Sequence, residues 1–242
     1  MPTPQVSLAD LHRADGSATY EHNGYSVICA VNGPIEVGRR DELPEEAAIE
    51  VNVRPASGVG SPKERELEAT IHSTLRHCIL VRQFPRTLVQ VTLQVLSLPE
   101  GDVAGDRSSA STLSILPSLL NASMLALLSA SIPLSTTFAA TILAVTPENR
   151  IIQSPSVKVL AQASSAHVFA FTASGELLVA QSEGAFEMEV WEKAHDAAKI
   201  ICAVEMDDGM EVDDAQEEWL HGVWKEAVKR KVDREQRWRE AV

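Results

Sequence analysis

The groups from which this chain could build a reactive site are few and scattered. Cys29, Cys78 and Cys202 lie far apart, and none belongs to a C-x-x-C pair. Neither a disulfide framework nor a cysteine-ligated zinc is therefore expected, and a reducing compartment is the natural setting. The seven histidines include no H-x-x-x-H pair and no grouping with acids at metal-ligand spacing. His77 beside Cys78 would activate a thiol only if the two side chains met, and neighbours on a helix point different ways. "SGVGSPK", from Ser57 to Lys63, invites a phosphate-loop reading. It lacks the G-x-x-x-x-G-K-[ST] spacing and the third glycine of a dinucleotide fingerprint, so a turn feeding a helix is expected. Asn121-Ala122-Ser123 matches a glycosylation sequon, but it falls inside an apolar helical stretch.

Carboxylates are the most abundant candidates, and their distribution is uneven. The chain holds 34 Asp and Glu residues and a formal net charge of −13, yet from Arg107 to Gly175 Glu148 stands alone. Chemistry that needs paired carboxylates, to hold a metal or move a proton, has no source for them in this third of the chain. The acidic balance argues against gripping nucleic acid with the whole surface, while leaving room for a local basic patch. With 4 Trp, 2 Tyr and 5 Phe, no base-stacking platform is advertised. "MPTPQVSLADLHRADG" has no apolar core and carries charges early, so no signal peptide is expected. Ser108 to Pro147 is free of charge but interrupted by Pro117, Asn121 and Pro133. A helix buried in a protein core is expected there, with no membrane partner.

The elements that would position any site follow from periodicity and punctuation. Asn23-Gly24 suits a type I′ turn between strand-forming residues, which predicts a hairpin over Ser17 to Val31. "GPIEVGRRDELPEE" reads as a solvated loop, and Ile49, Val51 and Val53 as the buried face of a third strand. Ser61, Pro62 and Glu64 compose a capping box opening a helix whose inner face is Leu67, Ile71, Leu75, Cys78 and Ile79. Val89, Val91, Leu93 and Val95 alternate with polar residues as in a half-buried strand. "SILPSLLNASMLALLSAS" predicts a helix apolar nearly all round, "STTFAATILAV" a strand, and Ser174-Gly175 the turn of a second hairpin. The helix from Phe186 is expected to turn Val190, Ala194, Ala197, Ile201 and Val204 inward. Glu205 to Glu218 holds eight acids and no base, and Lys225 to Glu240 seven bases and four acids on a solvated helix. The fold class is α+β, with mixed β-sheets packed against helices.

Taken in order, these stretches carry a resemblance. "ADGSATYEHNGYSVICAVNGPIE" (Ala14 to Glu36), "ELPEEAAIEVNVRP", "RELEATIHSTLRHCI", "FPRTLVQVTLQVL" and "NASMLALLSASIPL", then the helix from Phe186, resemble the ribonuclease PH family. The likeness runs from about Asp10 to Val204 and is most specific where Asp-Gly-Ser is followed by Val-x-Gly-Pro. It implies a ribonuclease PH-like domain over residues 10–204, with 205–242 as a charged, helical C-terminal extension.

The resemblance also implies a chemistry and its loss. Active members degrade RNA from the 3′ end by phosphorolysis. They use a Gly-Thr-Arg-like element at the start of the central helix to cradle phosphate, and aspartates to bind a divalent metal or manage transition-state charge. Carried across on "NASMLALLSASIP", the phosphate element falls on Ser114, Ile115 and Leu116, and the aspartates fall near Ser154 and Ala166. None is a glycine, arginine or acid. The expectation is a chain with no catalytic residue, no metal and no cofactor. By resemblance it forms part of the RNA exosome ring. Its partners would be other ribonuclease PH-like ring subunits, RNA-binding cap subunits, a separate catalytic ribonuclease and RNA. Lys63 and Arg65 would be the RNA contacts, unless they only solvate a helix N-terminus. Nucleus, nucleolus and cytoplasm are the implied locations. One alternative is an active phosphate-dependent 3′-5′ exoribonuclease drawing on Glu148 or Glu176. Another is a freestanding binding protein unrelated to RNA.

Overall fold

The computed structural model describes residues 3–39, 42–99, 110–202 and 220–240. Two sheets enclose one long apolar helix. The first sheet is built from β1 (Gln5–Leu8), β2 (Gly16–His22), β3 (Tyr25–Glu36), β4 (Ala48–Arg54) and β5 (Thr87–Ser97), in the order β1-β2-β3-β5-β4. All its pairs are antiparallel except β4 with β5. A parallel pair needs a crossover, and α1 (Pro62–Cys78) supplies it. The second sheet, order β7-β6-β8-β9, is antiparallel: β6 (Phe138–Val145), β7 (Ile151–Gln153), β8 (Ser165–Thr172) and β9 (Leu177–Gly184).

The central helix α2 (Ala110–Ser129) packs against β2 and β3 on one side and β6 and β8 on the other. This explains why its apolar residues run all round, from Leu116, Leu119 and Leu120 to Met124 and Leu127. Thr112–Ser129 is long and apolar enough to cross a membrane by composition, yet 89% of it is buried inside this fold. It is a core helix, as the sequence predicts. The opposite face of the second sheet is covered by α4 (Met188–Cys202), so all eight residues of β6 are buried. That double coverage accounts for the unbroken apolar run "FAATILAV" where an exposed strand would alternate.

Local signals hold where they are strong. Asn23 and Gly24 take φ of 52° and 83°, the two left-handed positions that a type I′ turn needs. At α1, the Ser61 hydroxyl accepts from the Lys63 N–H while the Glu64 carboxylate accepts from the Ser61 N–H, so the capping box forms. Gly16 is required by a close approach. A Cβ there would lie 2.3 Å from the Ala130 nitrogen and 2.6 Å from the Ala126 carbonyl, at the end of α2. Its neighbours are fixed too: Asp15 accepts from the Gly33 N–H (2.8 Å) and Ser17 from the Leu11 N–H (2.9 Å). Asp-Gly-Ser thus locks the first hairpin against both the central helix and the chain around Gly33-Pro34.

Several expectations need correction. Gly33 to Glu36, read as the start of a loop, continues β3: Ile35 pairs with Leu88 and Glu36 with Thr87 beyond a register irregularity. On α4 the buried stripe is Val190, Ala194, Ala198 and Cys202, spaced by four, with Ala197 and Ile201 flanking it half-buried. Val204 lies outside the described residues, as does the acidic run from Glu205 to Glu218. Short elements went unread: β1, β7 and the single turn α3 (Val157–Leu160), none long enough to show a period. The basic C-terminal helix is present as α5 (Leu220–Glu240), with one face packed rather than solvated all round. Leu220, Trp224 and Ala227 are buried, Lys231 donates to the Ser129 carbonyl (2.5 Å), and Arg234 to that of Leu8 (2.7 Å).

Candidate functional site

The groove between the two sheets, at the N-terminal half of α2, contains a cavity of about 290 Å³. Helical spacing places Ser114, Pro117 and Ser118 on the same face of α2, toward the cavity, while Ile115 and Leu116 turn into the core. The first hairpin contributes Tyr20, His22, Asn23 and Tyr25. From the second sheet come Ala140, Thr141 and Ile142 of β6 and the run Gln153-Ser154-Pro155 that leaves β7. Exposed Thr3 and Ile200 stand at its margin, so solvent reaches it.

Two side-chain amides hold these walls in register. Asn23 donates from Nδ2 to the Ser154 carbonyl (3.0 Å), tying the hairpin turn to the second sheet across 131 residues of sequence. Ser154 itself bends sharply, with φ of 48°, and its N–H donates to the Ile142 carbonyl (3.1 Å). Deeper in, Asn121 of α2 accepts from the Ala140 N–H (2.9 Å) and donates to the Ala140 carbonyl (2.9 Å). It donates also to the Tyr20 hydroxyl (3.2 Å). Strand β7 ends at the Leu143–Gln153 pair, so among the described residues β6 has no strand neighbour on that side at Ala140. The Asn121 amide takes the place of the missing strand. Burial pushes the Tyr20 hydroxyl pKa well above its ordinary value.

The positions singled out in the sequence divide in two. Ser114 and Ser154 meet at this cavity, although they belong to different layers. Ala166 does not: it lies on β8 between Ala144 and Glu183, outside the lining. Its neighbours Ser165 and His167 point to the opposite face of the strand and are buried. There, His167 Nε2 lies 2.9 Å from the Ser165 hydroxyl and Nδ1 2.8 Å from that of Ser182. Burial lowers the His167 pKa, favouring the neutral ring. This polar network, legible only as an S-x-H alternation, was missed. Lys63 and Arg65 sit in the first turn of α1, the former half-buried and the latter exposed, and neither lines the cavity. Glu148, 3.4 Å from Arg150 on an exposed turn, and exposed Glu176 are also outside it.

Chemically the described walls of the cavity are poor in charge. Among the described residues that line it there is no Asp, Glu, Lys or Arg. Among those described residues a divalent metal would find serine hydroxyls, side-chain amides and the His22 imidazole but no carboxylate, and a phosphate ion would find no lysine or arginine. The residues present do not fit either group. Hydroxyls and amides set among Pro117, Ile142, Pro155 and Leu160 can instead orient an uncharged molecule by hydrogen bonds.

Comparison with known proteins agrees with the architecture. Residues 5–133 match the model of the 3′ exoribonuclease family, domain 1 (ribonuclease PH). The exosome complex component RRP46 of Saccharomyces cerevisiae is 34% identical over 167 residues, covering 69% of this chain and 72% of the yeast protein. Its counterpart in Schizosaccharomyces pombe is 37% identical over 124 residues, covering 51% of this chain and 50% of the relative. The crystal structure of rice Rrp46 superimposes with a TM-score of 0.71 at 27% identity, covering 82% of this chain and 89% of the rice chain. With the Asp-Gly-Ser lock, the central helix between two sheets and these matches together, the chain belongs to the ribonuclease PH family.

Proposed function

We propose that this chain is a noncatalytic ring subunit of the RNA exosome, forming part of the wall of a channel that leads RNA to a separate 3′-5′ exoribonuclease. The observation that carries the reading is the charge-poor cavity where Ser114 and Ser154 meet. Phosphorolysis brings a phosphate anion against a phosphodiester, and its transition state gathers negative charge. Removing one preorganised donor from such a site typically costs about 3–4 kcal/mol, or 10²–10³ in rate. Here a guanidinium clamp and the carboxylates are replaced together, so the expected loss is many orders of magnitude. The names of the yeast relatives, exosome complex components, support the assembly.

In this reading the neighbours are other ribonuclease PH-like subunits. RNA-binding cap subunits and the catalytic ribonuclease complete the particle, in nucleus, nucleolus and cytoplasm, serving RNA decay and rRNA maturation. The fold offers what a ring member needs, sheet edges at β4 and β9 that neighbours can cover. Lys63 and Arg65 are the RNA contacts of this proposal: both stand in the first turn of α1, Arg65 exposed and Lys63 half-buried, where a cation can meet backbone phosphate. An active exoribonuclease is disfavoured because Glu148 and Glu176 lie outside the cavity.

Two measurements test the proposal. Co-expressed with ribonuclease PH-like subunits of the same source, the chain should co-elute as a stable complex on gel filtration. Alone, it should release no nucleoside diphosphate from RNA in the presence of phosphate. Elution as a lone monomer under co-expression, or robust phosphorolysis by the isolated chain, would refute the reading.

A further inference from the structure

We infer that the charge-poor cavity is a binding site for an uncharged heteroaromatic molecule of nucleoside size. The inference rests on the reading of that site as a phosphorolysis pocket without its charges, and names what the pocket takes instead. Its volume of about 290 Å³ stands at the lower end of small-molecule pockets, roughly 300–1,000 Å³. That is room for one small ligand, not for a folded peptide or a polymer.

The walls select by charge. A phosphate or carboxylate entering this space loses its water and meets no lysine or arginine among the described residues that line it, and an ion left unpaired there pays a large penalty. The protein's net charge of −13 adds long-range repulsion of anions. A neutral ring meets neither cost.

The walls also select by pattern. Ser118 of α2 and Thr141 of β6 are both among the residues that line the cavity, each more than nine-tenths buried. Gln153 lines it at the end of β7, and Asn23 lines it with its Nδ2 committed to the Ser154 carbonyl. Pro117, Ile142 and Leu160 supply apolar surface between these polar groups. Alternating hydroxyl, amide and apolar surface matches a nucleobase, which is flat, apolar on its faces and rimmed with donors and acceptors. A purely aliphatic ligand would leave the buried hydroxyls unpaired. Because Asn23 and Asn121 already brace the walls, the site is formed before any ligand arrives, so little ordering opposes binding.

The test is titration of the purified full-length chain with adenosine and uridine, followed by protein NMR and calorimetry, with inorganic phosphate and adenosine monophosphate in parallel. Saturable nucleoside binding is expected, with Kd on the order of 0.1–1 mM for so small a ligand. The monophosphate should bind at least tenfold more weakly and phosphate not at all. Ser118→Leu, which fills the cavity, should abolish binding. Gln153→Ala, on a half-buried strand end where folding tolerates the change, should weaken it at least threefold. Absence of nucleoside binding, phosphate binding as tight as nucleoside binding, or nucleoside binding unchanged in folded Gln153→Ala would overturn the inference. Failure here is distinguishable from failure of the ring role: a chain that assembles with its partners and binds no nucleoside leaves that role intact, whereas phosphate-dependent RNA cleavage removes it.

Discussion

Replacing Asn121 with alanine removes the amide that joins three layers at the cavity floor. Three groups lose their partner: the Ala140 N–H, the Ala140 carbonyl and the Tyr20 hydroxyl. Asn121, Ala140 and Tyr20 are each 1% exposed, so only water admitted from the neighbouring cavity could replace the lost partners. Each buried polar group left unpaired costs about 1–3 kcal/mol. Allowing for relaxation or one trapped water, the expected loss is about 3–5 kcal/mol. For a protein of this size that lowers Tm by about 6–20 °C, at about 2–4 °C per kcal/mol. Urea unfolding followed by far-UV circular dichroism, at constant m, reads the change as a shift in midpoint. Asn121→Asp sharpens the test: ionised, it keeps the acceptor for the Ala140 N–H but sets a buried anion against the Ala140 carbonyl, so the variant should regain stability as pH falls and the carboxyl protonates. A loss below about 1 kcal/mol for Asn121→Ala would refute the claim that this amide substitutes for a strand neighbour.

Gly16→Ala should fail to give a folded soluble chain, or lose several kcal/mol, because its Cβ would overlap the backbone of Ala126 and Ala130; near-wild-type thermal unfolding would contradict the close approach. Ser61→Ala should cost about 1 kcal/mol by breaking the capping box. Desolvation alone would raise the Glu64 pKa, but hydrogen bonds from the Ser61 side chain and backbone outweigh it and the net shift is downward. The box's contribution is therefore present above the ordinary carboxylate range and lost as pH falls through the lowered pKa, so the wild-type advantage over Ser61→Ala should shrink in acid. His167 and His221 are both held below the ordinary histidine pKa by burial. The unfolded chain then binds more protons between the two values, so stability should be full above about pH 6.5 and fall below it. Urea midpoints from pH 7.5 to 5 should flatten in His167→Gln.

Strong local signals predicted their elements well. The Asn23-Gly24 turn, the Ser61-Pro62-Glu64 start of α1 and the alternation of β5 each depend on residues within a few positions of one another. Weak ones failed for the same reason: β7 and α3 are too short to carry a period, and the extension of β3 past Gly33 is decided by its partner Leu88, not by its own turn-like composition. Asn121 shows the limit most clearly. Its sequence neighbourhood offers only a sequon, while its work is done on Ala140 and Tyr20, the latter 101 residues away.

The sequence by itself determined that the acids are withheld from Arg107 to Gly175, apart from Glu148, because side-chain charge is a property of composition and needs no fold to be read. It determined the α+β character too, through hydrophobic spacing. Only the tertiary structure decided that Ser114 and Ser154 share a cavity while Ala166 does not. Which residues meet is set by how the central helix seats between two sheets, and a β-strand sends neighbouring side chains to opposite faces, so a one-residue difference in position moves a group from one environment to the other.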